Sequence, residues 1–481
     1  MKRMLPFIIA LILSSLAVPV VNAESNPWWA KSYGGKYGDF ASAAAVAPNG
    51  DIIIAGGTDS FGAGSADVWV LRLDREGDVK WSKTYGGLGN DYATALVVAP
   101  NGDIVIAGNT KSFGAGSYDV WVLRLDANGN VKWSKTYGAS GWDEAKAVAI
   151  APNGDIIVAG YMDGDVWVLR LDENGNVKWQ KTYGGSDEEE AYAIAPTRDG
   201  GIVVVGYTYS FGAGAPFYSN VWVLRLDENG DVKWQKTYGG FKDDRASTVA
   251  VTKNGDIVVA GYTESFGSGG EDVWVLLLDR DGNVKWQKTY GGNGNEEAHG
   301  AVIEGSGDII IVGGTESFGS GSYDVWVLRL GTDGNVEWQK TYGGSSSDWA
   351  HAVAIAPEGD VAVVGWTMSF GAGRGDAWVL SLTPGGAGFS WFKSSFWFSS
   401  ESSNARVMDT DAQIETSSAL ESIPSIEVKQ SKAEVLSEGP VVETQYPSNE
   451  RVLAILVFGI GGVMVVTLYR ARKRKRPHPE D

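Results

Sequence analysis

Short runs in which apolar and polar residues alternate recur along residues 28–393, separated by turns rich in Gly, Asn and Asp. In one such unit Ala145, Ala147 and Ala149 alternate with Lys146, Val148 and Ile150, the period of two of a half-packed strand. Pro152-Asn153-Gly154 follows, and Asn-Gly readily supplies the positive φ of a hairpin turn. A second strand, rich in Ile and Val, runs from Asp155 to Gly160. The third, from Asp165 to Leu171, is apolar on both faces apart from Arg170, as a strand buried on both sides should be. After the turn Asp172-Glu173-Asn174-Gly175, a fourth strand runs from Asn176 to Tyr183. The unit is a meander of four strands.

The third and fourth strands, residues 165–185, have near copies at 67–87, 119–139, 221–240, 272–292 and 324–344, and a truncated copy at 376–393. Their shared tryptophan falls at Trp29, Trp81, Trp133, Trp179, Trp234, Trp286 and Trp338, most often about 52 residues apart. A fixed period in this range marks an array or a propeller. Four strands in about 52 residues form a propeller blade. First strands number seven, so the predicted fold is all-β, a seven-bladed β-propeller over residues 28–393. The chain opens at 28–35 with a lone fourth strand and closes at 348–382 with only three. The opening strand is therefore expected to complete the last blade, removing a sheet edge that would invite aggregation.

The unit Gly-Gly-x-x-x-Asp-x-Ala-x-Ala-Val, with Asn-Gly-Asp-Ile-Val-Val-Ala-Gly-Tyr-Thr later in it, resembles the seven-bladed β-propeller repeat family (SBBP type) of prokaryotic secreted and surface proteins. The resemblance spans residue 28 to about 393, and it implies a fold and little chemistry. Leu-Asp-x-Asn-Gly-Asn-Val-Lys-Trp also resembles the docking-tryptophan repeat of quinoprotein (PQQ-like) propellers. That resemblance implies eight blades and often a vicinal disulfide, whereas this chain has seven units and no cysteine. The quinone enzyme is not expected.

The ends are of a different kind. Residues 1–23 combine Lys2 and Arg3 with an apolar run and a small-residue exit, Val21-Asn22-Ala23, the pattern of a signal peptide. Residues 452–469 form an uncharged apolar stretch long enough for one transmembrane helix, and the basic tail 470–481 follows it. That order places the C-terminus in the cytoplasm and the propeller outside, a single-pass protein of the cell membrane. Residues 394–450 are rich in Ser, Thr, Glu and Gln and show no sustained period, so they read as a disordered polar stalk. The net charge of −19 excludes nucleic acid as a partner, since phosphate binding needs a basic face. Without cysteine there is neither a disulfide nor a thiolate nucleophile.

The seven copies serve as their own comparison. Four residues past each Gly-Gly, or Gly-Ala in the third copy, stands an acid: Asp39, Asp91, Asp143, Glu189, Asp244, Glu296 and Asp348. Seven carboxylates at the channel mouth could attract calcium or another divalent cation; alternatively each caps the N–H groups of its own loop. No other cofactor is expected. Beside them the residue type changes from blade to blade. Phe40, Tyr92, Lys146, Tyr192, Arg245, His299, Trp349 and His351 are the candidate ligand-binding surface. His299 and His351, at equivalent places in adjacent blades, could hold a metal with Glu296 or Asp348. The Phe of each Ser-Phe-Gly loop, Phe61 and its copies, is expected between blades. Blade 3 lacks this loop and blade 4 lengthens it with Ala215-Pro216-Phe217-Tyr218, which breaks the symmetry of one face. No nucleophile motif, phosphate loop or zinc signature is visible. The expected function is non-catalytic binding of an extracellular glycan, peptide or protein, with the lipid bilayer as anchor. The alternatives are a polysaccharide hydrolase or lyase using carboxylates such as Glu189 and Asp348, or a structural envelope protein.

Overall fold

The computed structural model describes residues 29–383 and, beyond them, seven short strands between residues 399 and 445. Each unit forms the expected meander. Blade 1 comprises Asp39–Val46, Ile52–Thr58, Asp67–Leu73 and Val79–Gly86, all antiparallel, and five further blades repeat it in chain order. The seventh holds Asp348–Ile355, Val361–Thr367 and Asp376–Leu382, and Trp29–Gly34 completes it, with Trp29 facing Ser381 and Tyr33 facing Ala377. The ring thus closes by backbone hydrogen bonds between the two ends of the repeat region.

A four-stranded blade is too thin to bury a core of its own. The described residues form seven apolar clusters, and the largest joins Ile53 and Val70 of blade 1 to Trp121, Leu123 and Leu125 of blade 2. The third strands sit at the middle of these layers, which explains why they are apolar on both faces. Outside blade 3, which lacks the loop, each third-strand tryptophan is buried under the Phe of its own loop, as in Phe113 and Trp121 with ring centroids 5.3 Å apart. The loop phenylalanines therefore belong to the packing between blades.

A polar clasp reinforces these layers. In six of the seven fourth strands a Tyr and a Trp reach the strand 3–4 turn of the next blade. Tyr33 Oη donates to Gly77 O at 2.6 Å, and Trp29 Nε1 donates to Arg75 O at 2.7 Å. Gly77 has φ +79°, and a Cβ there would come within 2.8 Å of the Trp29 ring. The turn glycine is thus required twice, by its conformation and by the indole lying against it.

The outer edges differ from expectation. Composition predicts a disordered stalk over 394–450, yet strands within this stretch pair with the propeller. Ser399–Glu401, Arg406–Asp409, Gln413–Thr416, Leu420–Ser422, Lys429–Gln430, Glu434–Val435 and Val442–Gln445 add a fifth strand to blades 6, 5, 4, 3, 2, 1 and 7 in turn. Sequences too polar to build a core can still be held through backbone N–H and C=O groups at a sheet edge. Residues 1–23, 384–393, 452–469 and 470–481 lie outside the described residues. Among the described ones no helix is long and apolar enough to cross a membrane.

Removing residues 28–35 takes away the closing strand and its clasp on Gly77. The truncated chain is expected to be insoluble or multimeric on size-exclusion chromatography. A soluble monomer with an unchanged melting temperature would refute the closure.

Candidate functional site

The first candidates are the seven acids, and they do not ring a channel mouth. Asp39, Asp91, Asp143, Glu189, Asp244, Glu296 and Asp348 are all buried, Asp39 exposed by 2% and the other six by 0%. Each begins a first strand and is held inside its own blade. Asp39 accepts from Thr58 Oγ1, from Ser60 Oγ at 2.7 Å and from the Gly35 N–H at 2.7 Å. Thr208 donates to Glu189 at 2.7 Å, and Thr315 to Glu296 at 3.0 Å. The expected cation ring is thus corrected to a set of structural caps. Glu189 and Asp348 are engaged in the same way, each accepting from a Thr hydroxyl and from the N–H of a preceding glycine. Blade 3 is the exception: Met162 replaces the threonine, and Asp143 Oδ1 is buried without a hydrogen-bond partner.

A second acid set escaped the sequence reading although its signal, the Asp before each Val-Trp-Val, was visible. Asp67, Asp119, Asp165, Asp272, Asp324 and Asp376 open the third strands, with Asn220 in blade 4. Each meets the first-strand acid of the following blade across a close-packed glycine. A Cβ on Gly86 would collide with Asp67 Oδ1 and come within 2.8 Å of Asp91 Oδ2. Burial, with Asp91 adding repulsion, pushes Asp67 up to about 7. Burial likewise raises Asp272 to about 7, and Asp376 and Asp143 to about 6.

The variable residues do come together. Ser42, Thr94, Lys146, Tyr192, Ser247, His299 and His351 each occupy a β-bulge in their first strand, the pairing with the second strand skipping them. A bulge frees one residue per blade from the ladder and re-aims its side chain. With their neighbours two residues earlier, they form an arc of contacts running from blade to blade. Phe40 lies 5.9 Å from Tyr92 between ring centroids. Lys146 bonds Glu144 at 2.6 Å and Glu190 at 2.9 Å, and its Nζ is 5.8 Å from the Tyr192 ring. Burial would lower the Lys146 pKa, but Glu190 and Glu144 outweigh it and hold the ammonium above its usual range. Arg245 donates to Tyr209 Oη at 2.8 Å and lies 4.3 Å from the Tyr207 ring.

His299 touches both His351 and Trp349, at 5.5 and 5.6 Å between centroids, and Trp349 stacks on Tyr323 at 4.0 Å. Burial, with His351 beside it, pushes His299 down to about 3, and burial pushes His351 to about 4. Both imidazoles are therefore neutral at physiological pH, and Glu297, 3.6 Å from His299, makes no ion pair with it. Among the described residues no group of three or more His, Asp or Glu side chains is arranged to hold a metal. Burial raises both carboxyls of the Glu271–Glu297 pair, and the charge of Glu297 raises Glu271 further, so that one of the two keeps a proton. A cavity of about 420 Å³ opens between blades 7 and 1, lined by Phe40, Asp59, His351, Trp366 and Arg374 among others. The arc is thus aromatic across blades 6, 7, 1 and 2, and charged across blades 3 to 5.

The loops around it show a further asymmetry. Among the described residues the exposed large apolar ones are Tyr37, Leu88, Trp142, Phe217, Tyr218, Phe241 and Met368, and all lie on loops of this one face. The turns of the opposite face instead carry ion networks such as Arg72 and Lys80 on Asp51, at 2.7 and 2.6 Å. At the short loop of blade 3, where Asp163 takes φ +51°, Trp142 is 52% exposed and packs on Tyr118. Phe217, 82% exposed, and Tyr218 rise on the lengthened loop of blade 4.

Comparison with known proteins supports the repeat. A beta-propeller domain of unknown function (DUF5122) matches residues 99–131. The regulatory protein FlaEY of Caulobacter vibrioides is 29% identical over 110 residues, 20% of this chain; the match spans 12% of that relative's length. Similar solved structures include the virginiamycin B lyase of Staphylococcus aureus, at TM-score 0.46 and 13% identity, covering 74% of this chain and 99% of the lyase. The WD40 domain of Pan2 from Neurospora crassa gives TM-score 0.46 and 15% identity, with 72% and 89% covered. The chain is a propeller repeat protein.

The buried acids set a pH dependence. Asp67, Asp272, Asp376 and Asp143 bind their protons more tightly folded than unfolded, so their contribution is fully present below about 4 and lost as pH rises to about 7. Asp51, Asp103 and Asp155 act oppositely. Burial would raise them, but Lys and Arg partners hold them low, and that stability is lost as pH falls below the usual carboxylate range. The melting temperature is expected to be higher at pH 5 than at pH 8, and Asp67→Asn with Asp272→Asn to narrow the difference. Equal melting temperatures at the two pH values would contradict this.

Proposed function

We propose that the chain is a membrane-anchored extracellular β-propeller that binds a glycan, peptide or protein partner without catalysis. The observation that carries this reading is the confinement of exposed apolar residues to the loop face that surrounds the variable arc. An exposed apolar patch on one face of a rigid scaffold is the usual mark of a binding surface. Trp142 on one side of the blade 3 gap, with Phe217 and Tyr218 on the other, offers flat faces for a sugar ring or an aromatic side chain. The charged half of the arc, Lys146, Glu190 and Arg245, suits the polar groups of the same ligand. Signal-like residues 1–23, the apolar stretch 452–469 and the basic tail 470–481 support an outward propeller on a single membrane span.

Acid–base action on a polysaccharide is the second reading. It is favoured by the raised Glu271–Glu297 pair, in place of Glu189 and Asp348. Glu271→Gln separates the two readings, because it would abolish release of reducing ends from a cleaved polysaccharide but not binding.

The exterior portion, residues 24–450, is to be screened on glycan and peptide arrays and by thermal shift. A bound ligand is expected to lose about tenfold in affinity with Trp142→Ala plus Phe217→Ala, at unchanged melting temperature. Equal binding by the variant, or no ligand on any array, would count against the proposal.

A further inference from the structure

The fifth strands of the blades are spaced with a regularity that neither the repeat nor a binding face explains. Tyr342 faces Ser400, Tyr290 faces Val407, Tyr238 faces Ile414 and Tyr183 faces Glu421, each step advancing seven residues per blade. Tyr85 faces Val435, two steps further on, and Lys429 opposite Thr136 sets the rung between them in the same register. The last rung, Glu443 opposite Tyr33, follows after eight. The sequence carries the same period independently. Val407, Ile414, Val428 and Val435 are separated by multiples of seven residues, and so are Ala405, Ala412, Ala419 and Ala433.

We infer that the seven short strands between residues 399 and 445 form a strap around the propeller, with a step of about seven residues per blade, whose partner is the outer edge of this chain's own ring. Sheet twist makes the path possible. Neighbouring strands rotate by roughly 20–25°, so four steps turn a fifth strand about 80–100° from the first. If the first strand runs along the ring axis, the fifth runs around the circumference. A strap travelling that way meets each outer strand antiparallel, as observed at all seven blades. The length agrees as well. Seven extended residues reach about 23 Å, so seven steps close a circle of about 26 Å radius. A fifth strand sits about 19 Å outside the first, leaving about 7 Å for the channel radius.

The strap visits the blades in reverse order and ends on Trp29–Gly34, the strand that closes the ring. It therefore ties blade 1 to the closing strand of blade 7, the strand that is held to its neighbour Asp376–Leu382 by hydrogen bonds and not by a connecting turn. It also occupies the seven sheet edges that would otherwise be free to pair with other chains. Recognition rests on backbone hydrogen bonds. A segment rich in Ser, Thr and Glu can provide these as well as an apolar one.

Hydrogen–deuterium exchange on the full chain tests the strap. Neighbouring residues of a strand point their N–H groups to opposite sides, so Ile414→Pro with Glu415→Pro removes whichever amide donates to blade 4. Exchange in Val232–Gly239 is expected to rise at least tenfold while other outer strands keep their protection. Deleting 399–445 should accelerate all seven outer strands and leave the first strands unchanged. Identical exchange of the outer strands in the full chain and in both variants would overturn the strap. Protection that grows with protein concentration would overturn it too, since the strap would then lie on a second copy.

Discussion

The ring depends on one contact repeated between neighbours, a fourth-strand tyrosine donating to the carbonyl of the next blade's turn glycine. It recurs at Tyr33, Tyr85, Tyr137, Tyr183, Tyr238 and Tyr290, at 2.6–2.7 Å each time. A buried hydrogen bond of this kind contributes about 1 kcal/mol net, and leaving either partner unmet costs about 1–3 kcal/mol. The bond matters more for where it sits. It helps set the angle at which the apolar layers pack, and at these six boundaries it ties the Gly, the Tyr and the nearby Trp to one another. None of the three can change alone. That mutual constraint accounts for the regularity of the third and fourth strands, which looks like a binding signature and is a scaffold.

A scaffold so fixed on its outer and lower sides leaves freedom only where side chains are not shared between blades. The bulge in each first strand is such a place. Its residue is outside the ladder, so Ser42 and His351 can occupy equivalent positions at no cost to pairing. The upper loops are another, since Phe217 and Trp142 project from connections that carry no clasp. The functional face is thus defined by what the clasp does not reach.

Much of this was legible in the chain. Seven units, the four-stranded meander, closure by the first strand and the inter-blade place of Phe61 all follow from period, alternation and turn chemistry, because those features are local. The acids were legible as a set but their burial was not. Asp39 and a solvated acid look alike until Thr58, nineteen residues away, is seen to face it. The bulges leave only an Ala-x-Ala trace, in which Ala41 and Ala43 both stay buried while Ser42 leaves the ladder. The strap was missed because its period of seven belongs to neither a strand nor an apolar heptad. It reflects the width of a blade, a length that exists only once the ring is built.

Blade 4 shows what its third-strand acid position tolerates. Asn220 stands where six blades have Asp, and it has the shape of a protonated carboxyl without a charge to lose. A Cβ on Gly239 would lie 2.5 Å from Asn220 Oδ1 and 2.7 Å from Asp244 Oδ2, so the amide occupies the same place between blades as Asp67 does. Two acceptors facing one another would repel, whereas a half-turn of the amide presents an N–H to Asp244. At Asp67, Asp165, Asp272 and Asp376 burial raises the carboxyl, and a retained proton can play that part. The proton on a buried Asp is therefore a structural component of the boundary, as the amide is in blade 4. On this view the acidity of the interior serves the ring, and the ligand face is left to the residues that differ.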